Sequence, residues 1–301
     1  MAEFPAIADG WEVNAENKDL KEPIPWESLG VKSAKDLKVT LVHRWFSPPS
    51  AAIRCILNYY QVPQERISME MPFKGNISNS PYKQVPQLVV SPPEGQGDKG
   101  GYLVVDSWVI IKNLYPILTG SKVEEDIGDD AALKEVVGKL PLALQTTLMG
   151  KSEGPGQFAR HFAVPESRDP LFKVLCSYFV QSKMGKLQKK FPETFEEKMQ
   201  WFMDKIKSRN SGSKFFSKTK EPGPVDLAVY AYIANGLAIV QDKAVNKDQG
   251  AEENWIMDSL KSSGSMDWFT GVDEAYKAKC QEAVIPEDIK EQAASSVWGW
   301  W

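Results

Sequence analysis

Cysteine and histidine are scarce in this 301-residue chain, which contains three cysteines and two histidines. Cys55, Cys176 and Cys280 are far apart in the sequence and none belongs to a CxxC pair. This spacing excludes a zinc ribbon, a zinc finger and a dithiol redox pair, so no metal site is expected. A disulfide-stapled scaffold is not expected either, and a reducing compartment fits the sequence best.

Long apolar runs and an excess of basic charge are also missing. No stretch of about 18 consecutive apolar residues is present, so no transmembrane segment is expected. The 36 Lys and Arg residues are outnumbered by 40 Asp and Glu, a balance that does not favour nucleic-acid binding. The basic stretch at 183–190 predicts either a peripheral contact with acidic lipid or an ordinary solvated helix face.

The first half of the chain has the pattern of a small α/β layer. Apolar positions at Ile53, Ile56, Leu57 and Tyr60 have the spacing of one helix face. Short apolar runs bounded by turn residues predict strands before and after it. The predicted order is a strand at Lys38–Val42, the helix, strands at Arg66–Met71, Gln87–Val90 and Tyr102–Val105, and a helix at Asp106–Thr119. This order is typical of a thioredoxin-like domain.

The second half predicts helices alone. Residues 121–165 are acidic and then rich in glycine and proline, which indicates a linker with one short helix at Ala131–Leu140. Beyond it, helical periodicity covers 170–190, 193–208, 224–239 and 253–282. The predicted fold class is a thioredoxin-like N-terminal domain followed by an all-helical C-terminal domain. The predicted segments are an N-terminal extension (1–37), the thioredoxin-like domain (38–120), a linker or insert (121–165), the helical domain (166–285) and a Trp-rich tail (286–301).

This architecture resembles the glutathione S-transferase superfamily. Several stretches are similar to its prostaglandin E synthase type-two branch: SPPSAAIRCIL (47–57), YKQVPQLVV (82–90), LVVDSWVII (103–111), SYFVQSKMGKL (177–187) and PGPVDLAVYAYI (222–233). The similarity covers roughly residues 38–120 and 175–280. It implies the glutathione transferase fold, and glutathione is the one cofactor that it implies.

The resemblance also implies a binding site for glutathione. Val85-Pro86 stands where these proteins have a cis-proline, whose preceding backbone pairs with the cysteinyl part of the tripeptide. Asp106-Ser107 matches the pair that holds the γ-glutamyl group. Two simpler interpretations stay open: a proline that shapes the turn before a strand, and residues that cap a helix.

The sequence departs from the family at the start of the first helix. The family has a CxxC there, whereas this chain has Ser47 and Ser50, so two-cysteine redox chemistry is lost. Ser47 is either a donor to a bound thiolate or a helix N-cap that accepts from the Ser50 N–H. Pro48 and Pro49 favour the cap, because they remove backbone donors that would stabilise an anion. Arg44 replaces a family tyrosine and either attracts a thiolate or carboxylate or is a surface arginine.

Two classes of function follow from these residues. The favoured hypothesis is a non-catalytic accessory or scaffold subunit of a larger assembly, mitochondrial by resemblance or else cytoplasmic, although the N-terminus lacks the composition of a presequence. The alternative is a glutathione-dependent transferase or prostaglandin-type isomerase that uses Ser47 or Arg44. Half of the ten tryptophans lie in the terminal segments, where a partner protein would contact them: Trp11, Trp26, Trp298, Trp300 and Trp301.

Overall fold

The computed structural model describes most of the first half of the chain and four helices of the second. The described residues are 10–14, 18–45, 47–68, 82, 84–91, 100–123, 125, 131, 134–144, 186, 189, 194–209, 212–217, 219–240, 255–284 and 286. The first half contains β1 (Glu12–Val13), β2 (Val39–His43), α1 (Pro48–Tyr59), β3 (Gln64–Ser68), β4 (Gln87–Val90), β5 (Tyr102–Val105) and α2 (Ser107–Thr119). The second half contains α3 (Phe195–Arg209), α4 (Pro224–Val240), α5 (Trp255–Ser262) and α6 (Met266–Lys279).

The five strands form one mixed sheet in the order β1-β5-β4-β2-β3. β2 runs parallel to β3, and β4 runs antiparallel to both β2 and β5. Alternation along the strands directs Leu41, Leu88 and Val104 toward the core shared with α1 and α2. The neighbours Val42 and Val89 belong to a second apolar cluster on the opposite face. This strand order, with α1 between β2 and β3, confirms the predicted thioredoxin-like domain.

The helical half is organised around Asp226, the third residue of α4. Its fully buried carboxylate accepts the backbone N–H groups of Phe216 (2.8 Å), Ser217 (3.2 Å) and Gly223 (3.1 Å), and the Trp268 indole N–H (2.9 Å). Burial raises the pKa of Asp226, and these four hydrogen bonds act against that shift. One carboxylate therefore joins the loop after α3, the start of α4 and the first turn of α6.

One predicted helix is divided into two in the structure. The segment predicted as a single helix at 253–282 is two helices, because α5 ends at Ser262 and α6 begins at Met266. Gly264 between them has a φ of 67°, a conformation that interrupts a right-handed helix. A turn of helix at Lys134–Lys139, continued at 140–144, lies where a short helix was predicted. Of the predicted helix 170–190 and its basic stretch, only Lys186 and Lys189 are described; both are helical and exposed.

The N-terminal segment packs against the thioredoxin-like domain of its own chain. β1 pairs in parallel with β5, and Trp11 covers Gly101, where a Cβ atom would overlap the indole ring. Trp26 is 7% exposed, and its indole N–H donates to the Asn113 carbonyl at 2.9 Å. The expectation that Trp11 and Trp26 are free to contact a partner is therefore wrong, since both are used within this chain. Trp298, Trp300 and Trp301 lie outside the described residues.

Within the part of the chain that the structure describes, no helix is both long enough and apolar enough to cross a bilayer.

Asn14 fastens the N-terminal segment to the sheet, and its replacement tests that attachment. Its side-chain amide accepts the Val105 N–H at 2.7 Å and donates to the Val105 carbonyl at 3.0 Å. We expect Asn14→Ala to lower the free energy of unfolding by about 1–3 kcal/mol, because both backbone groups are buried and lose their partner. Urea denaturation monitored by tryptophan fluorescence measures this loss.

The matched control is Glu12→Ala in the same segment, which removes an exposed hydrogen bond to the Lys21 N–H. We expect this change to cost less than about 0.5 kcal/mol. Equal losses for the two variants would show that Asn14 has no special role.

Candidate functional site

The strand register brings the predicted site segments to one edge of the sheet. Gln87, the first residue of β4, pairs with Val42 near the end of β2 and with Val105 at the end of β5. The residues that follow β2, precede β4 and follow β5 therefore lie side by side. These segments carry every site residue predicted from the sequence: Arg44, Ser47, Val85, Pro86, Asp106 and Ser107.

Ser47 is the N-cap of α1. Its side-chain oxygen accepts the Ser50 N–H at 3.4 Å, and Pro48 and Pro49 occupy the first two helical positions. Ser50 in turn accepts the Arg44 N–H through its own hydroxyl oxygen, also at 3.4 Å. Both serines are buried. Among the described residues, no carboxylate or imidazole forms a hydrogen bond with the Ser47 hydroxyl, so nothing there acts as a base toward it.

The Val85-Pro86 bond is cis, as the resemblance implies. Gln87 directly after it is fully buried and holds the preceding turn, since its amide nitrogen donates to the carbonyls of Gln84 (2.7 Å) and Tyr82 (3.3 Å). The Gln87 amide oxygen is buried, and it has no hydrogen-bond partner among the described residues. The sequence analysis did not identify Gln87 as a residue of this edge.

Asp106 has a backbone conformation that is unusual for a residue with a side chain. Its φ is 72° and its ψ is 128°, outside the regions that L-residues prefer. It stands at the N-cap of α2, yet its side chain does not form the capping hydrogen bond. Simple capping, the alternative left open by the sequence, therefore does not explain this aspartate. A residue held in a strained conformation is a candidate functional position.

Ser107 connects the sheet edge with the helical domain. Its side chain is 8% exposed and lies close enough to the Tyr232 hydroxyl of α4 to act against the raised pKa of that phenol. Burial raises the pKa of Tyr232, so the phenol stays neutral and donates to the Val137 carbonyl at 3.0 Å. The Ser107 side chain thus lies against the helical domain, while the start of α2 has backbone N–H groups at the sheet edge.

A buried arginine lies behind this edge and was not identified from the sequence. Arg54, in the middle of α1, is 1% exposed. One guanidinium nitrogen donates to the Arg44 carbonyl at 2.8 Å, and another donates to the Trp45 carbonyl at 2.8 Å and the Val284 carbonyl at 3.3 Å. No carboxylate lies within ion-pair distance of Arg54 in the described ranges. Burial and the nearby Arg66 lower its pKa to about 9, so the guanidinium stays charged at neutral pH.

His43 and Trp45 complete the surroundings of Arg54. The guanidinium donates to His43 Nδ1 at 3.1 Å, which requires a neutral ring protonated on Nε2. Burial, together with the charges of Arg54 and Arg66, lowers the pKa of His43 to about 2. The Trp45 ring lies 4.7 Å from the guanidinium carbon and contacts His43 edge to face at 4.8 Å. His43 is therefore locked as a neutral acceptor and is not a general base.

Arg54 also links the site loop to the end of the helical domain. Its bond to the Val284 carbonyl reaches the segment after α6, and Glu282 in that segment pairs with Arg66 at 2.7 Å. Asn235 of α4 donates to the Trp45 carbonyl at 3.4 Å. The sequence contains a signal for this arrangement. Apart from Ser50, Arg54 and Asn58, α1 consists of apolar or aromatic residues, and a helix that is mostly apolar is buried with any charge that it carries.

The sheet edge brings together polar groups of three kinds. They are a strained aspartate, a helix N-terminus and the buried amide oxygen of Gln87. The Ser47 hydroxyl nearby accepts the capping hydrogen bond of α1. Within the described ranges, no group of three or more His, Cys, Asp or Glu side chains is arranged to hold a metal ion.

The comparisons with known proteins found similarity to solved structures. The sequence matches no protein-family model and no curated protein. Similar structures include a tau-class glutathione S-transferase from mango, Mangifera indica (14% identity, 87% of this chain and 98% of that one covered, TM-score 0.39). Another is a glutathione S-transferase from Rhodospirillum rubrum F11 (16% identity, 84% and 99% covered, TM-score 0.43). A third is a maleylacetoacetate isomerase from Anaeromyxobacter dehalogenans 2CP-1, solved with bound GSH in its active site (13% identity, 81% and 95% covered, TM-score 0.42).

The strand order and the helices that follow it confirm the predicted fold class, a thioredoxin-like domain followed by a helical domain. The narrower similarity to prostaglandin E synthase type 2, and the roles predicted for the individual site residues, stay predictions.

Replacement of Arg54 tests whether it supports the site loop. Arg54→Met removes the buried donor to His43 Nδ1 and to the carbonyls of Arg44, Trp45 and Val284, of which Arg44 and Trp45 keep one longer hydrogen bond each at 3.4 Å. We expect the free energy of unfolding to fall by roughly 2–4 kcal/mol. Arg54→Lys keeps the charge but not the planar fork of donors, and we expect an intermediate loss. Chemical denaturation of each purified variant measures these differences.

Arg66→Met is the matched control, because Arg66 is a partly exposed arginine paired with Glu282. Such pairs contribute about 0–1 kcal/mol. If Arg54→Met and Arg66→Met cost the same, the buried guanidinium does not organise the loop.

Proposed function

We propose that this protein is a catalytically silent member of the glutathione transferase fold, similar to prostaglandin E synthase type 2, that works as an accessory subunit of a larger assembly. A mitochondrial setting follows from that similarity, and the cytoplasm is the alternative. The observation that carries the proposal is the state of Ser47, whose hydroxyl accepts the capping hydrogen bond of α1.

The backbone around Ser47 supports the same conclusion. A helix N-terminus activates a thiol or hydroxyl through free N–H groups and the helix dipole. Pro48 and Pro49 have no N–H to offer, and the Ser50 N–H is already donated to Ser47. An anion at this position would therefore meet few of the donors that stabilise it in an active enzyme of this fold.

In the part of the chain that the structure describes, no proton acceptor is hydrogen-bonded to Ser47. His43 is the nearest histidine in sequence, and its Nδ1 already accepts from Arg54. Its pKa of about 2 keeps the ring neutral, as a base must be. However, the ring is buried, so it cannot exchange a proton with a substrate. A serine without a base is a poor nucleophile at neutral pH, and this supports binding rather than catalysis.

Fewer tryptophans are available to a partner of the proposed subunit than the sequence predicts. Trp11 and Trp26 are used inside the chain, so the tryptophans left for a partner are those of the tail: Trp298, Trp300 and Trp301. Large aromatic side chains of this kind are common at the centres of protein interfaces.

A conjugation assay tests the absence of catalysis. Purified protein mixed with glutathione and 1-chloro-2,4-dinitrobenzene is expected to show no rate above the uncatalysed reaction. Ser47→Ala is expected to lower stability by about 1 kcal/mol through loss of the cap. A rate above background in the wild type that disappears in Ser47→Ala would overturn the proposal.

Native mass measurement of tagged endogenous protein tests the assembly. The subunit hypothesis predicts a mass far above the 67.4 kDa of two 33.7 kDa chains.

Asp106 favours a second candidate, a protein that still binds glutathione. Its strained backbone is not accounted for by capping, and its carboxylate stands beside the α2 N-terminus. A carboxylate and a helix N-terminus together match the ammonium and carboxylate of a γ-glutamyl group. This feature keeps a glutathione-dependent transferase or isomerase as the alternative function.

Asp106→Gly separates binding from folding. Glycine adopts the observed φ without strain, so we expect stability to rise by about 1 kcal/mol. If glutathione binds here, its affinity should fall at least tenfold, because the partner of its ammonium is gone. Calorimetric titration with glutathione and thermal denaturation give the two readings.

Gln61→Gly is the control for this prediction. Gln61, just after α1, is the other non-glycine residue with a positive φ, 54°, among the described residues. Glycine there should also raise stability while leaving the affinity for glutathione unchanged. Loss of stability in Asp106→Gly would show that the aspartate is not strained.

A further inference from the structure

A cavity in the helical domain lies apart from the candidate site. It has a volume of about 480 Å³ and is bounded by α4, α5, α6 and the segment that follows α6. None of the predicted site residues lines it. Leu237, Met257 and Phe269 are partly exposed apolar side chains on its wall. Its volume is in the range of small-molecule sites, and its half-open lining combines apolar side chains with polar ones such as Asp273, Lys277 and Gln281.

Three aromatic rings form one side of this cavity. The Tyr230 ring lies 5.4 Å from the Phe269 ring and 5.6 Å from the Tyr276 ring, tilted by 40° and 42° respectively. Burial raises the pKa of both tyrosines, so their hydroxyls are neutral. Neutral aromatic faces attract an organic cation and also bury an apolar body.

A carboxylate stands beside these rings. Asp273 accepts the Tyr230 hydroxyl at 2.7 Å through one oxygen and the Lys277 ammonium at 2.7 Å through the other. The Lys277 side chain is 71% exposed, whereas that of Asp273 is 25% exposed. An exposed pair of this kind contributes about 0–1 kcal/mol, so an ammonium from a ligand can replace Lys277 while Tyr230 keeps its bond.

The other charges on the cavity wall do not oppose a cation. Glu282 is held by Arg66 at 2.7 Å and by Asn58 at 3.3 Å. Burial raises the pKa of Cys280, so its thiol is uncharged. Since Arg66 balances Glu282, Asp273 is the lining carboxylate that a ligand cation would meet, in competition with Lys277.

We propose that this cavity is a binding site for a small hydrophobic amine, with the ligand ammonium on Asp273 and its apolar body against Tyr230, Phe269 and Tyr276. The contacts that support this site involve neither Ser47 nor Asp106, so it stands whether or not glutathione binds at the sheet edge.

Calorimetric titration of the full chain with a matched pair of probes tests the site. The probes are 3-(1-naphthyl)propylamine and 3-(1-naphthyl)propanoic acid, which differ in the charged end of the molecule. We expect the amine to bind at least tenfold more tightly than the acid. Asp273→Asn should weaken the amine at least tenfold, since the amide keeps an acceptor for Tyr230 but loses the charge. Lys277→Ala should strengthen it by several fold, since the competing ammonium is removed.

Two further variants separate the cavity from general effects of charge. Asp258→Asn neutralises an exposed α5 carboxylate that pairs with Lys261 away from the cavity, and it should leave the affinity unchanged. Ala238→Leu fills part of the cavity and should abolish binding while the circular dichroism spectrum stays native. Equal binding of amine and acid, equal effects of Asp258→Asn and Asp273→Asn, or undiminished binding to Ala238→Leu would each overturn the proposal.

Discussion

The buried guanidinium of Arg54 constrains the edge of the sheet where the candidate site lies. A charge in the core needs hydrogen bonds to compensate for lost hydration, and Arg54 takes them from backbone carbonyls and a neutral histidine instead of a carboxylate. The residues between β2 and α1 must therefore direct their carbonyls inward. Arg54 holds the turn that carries Ser47 on its buried side, and the Val284 carbonyl attaches the segment after α6 to the same guanidinium.

The geometry of this edge and the chemistry of Ser47 are set by different contacts. The cis bond before Pro86, the turn held by Gln87 and the strained Asp106 lie together at one edge of the sheet. Ser47 meanwhile serves the helix as its cap. A nucleophile at Ser47 would require free N–H donors and a base, and the described residues around Ser47 provide neither.

Local patterns predicted the elements well because the forces that set them are local. The period of α1, the short apolar runs of β4 and β5, and proline with aspartate at the start of α4 each correspond to a helix or strand in the structure. The break at Gly264 was missed because the apolar spacing of α5 and α6 continues across it. Trp11 and Trp26 were misassigned because an apolar side chain in a terminal segment has the same sequence signal whether it contacts a partner or its own domain.

The sequence by itself determined the fold class and the cap at Ser47, because both depend on residues that are neighbours along the chain. Tertiary structure alone decided three other features. It made Glu12–Val13 a strand of the sheet, placed the Ser107 side chain beside Tyr232, and buried Arg54 against Val284, a residue 230 positions away. Each of these features depends on contacts between distant segments. Composition and periodicity indicate which side chains are buried, but they do not indicate which groups those side chains contact.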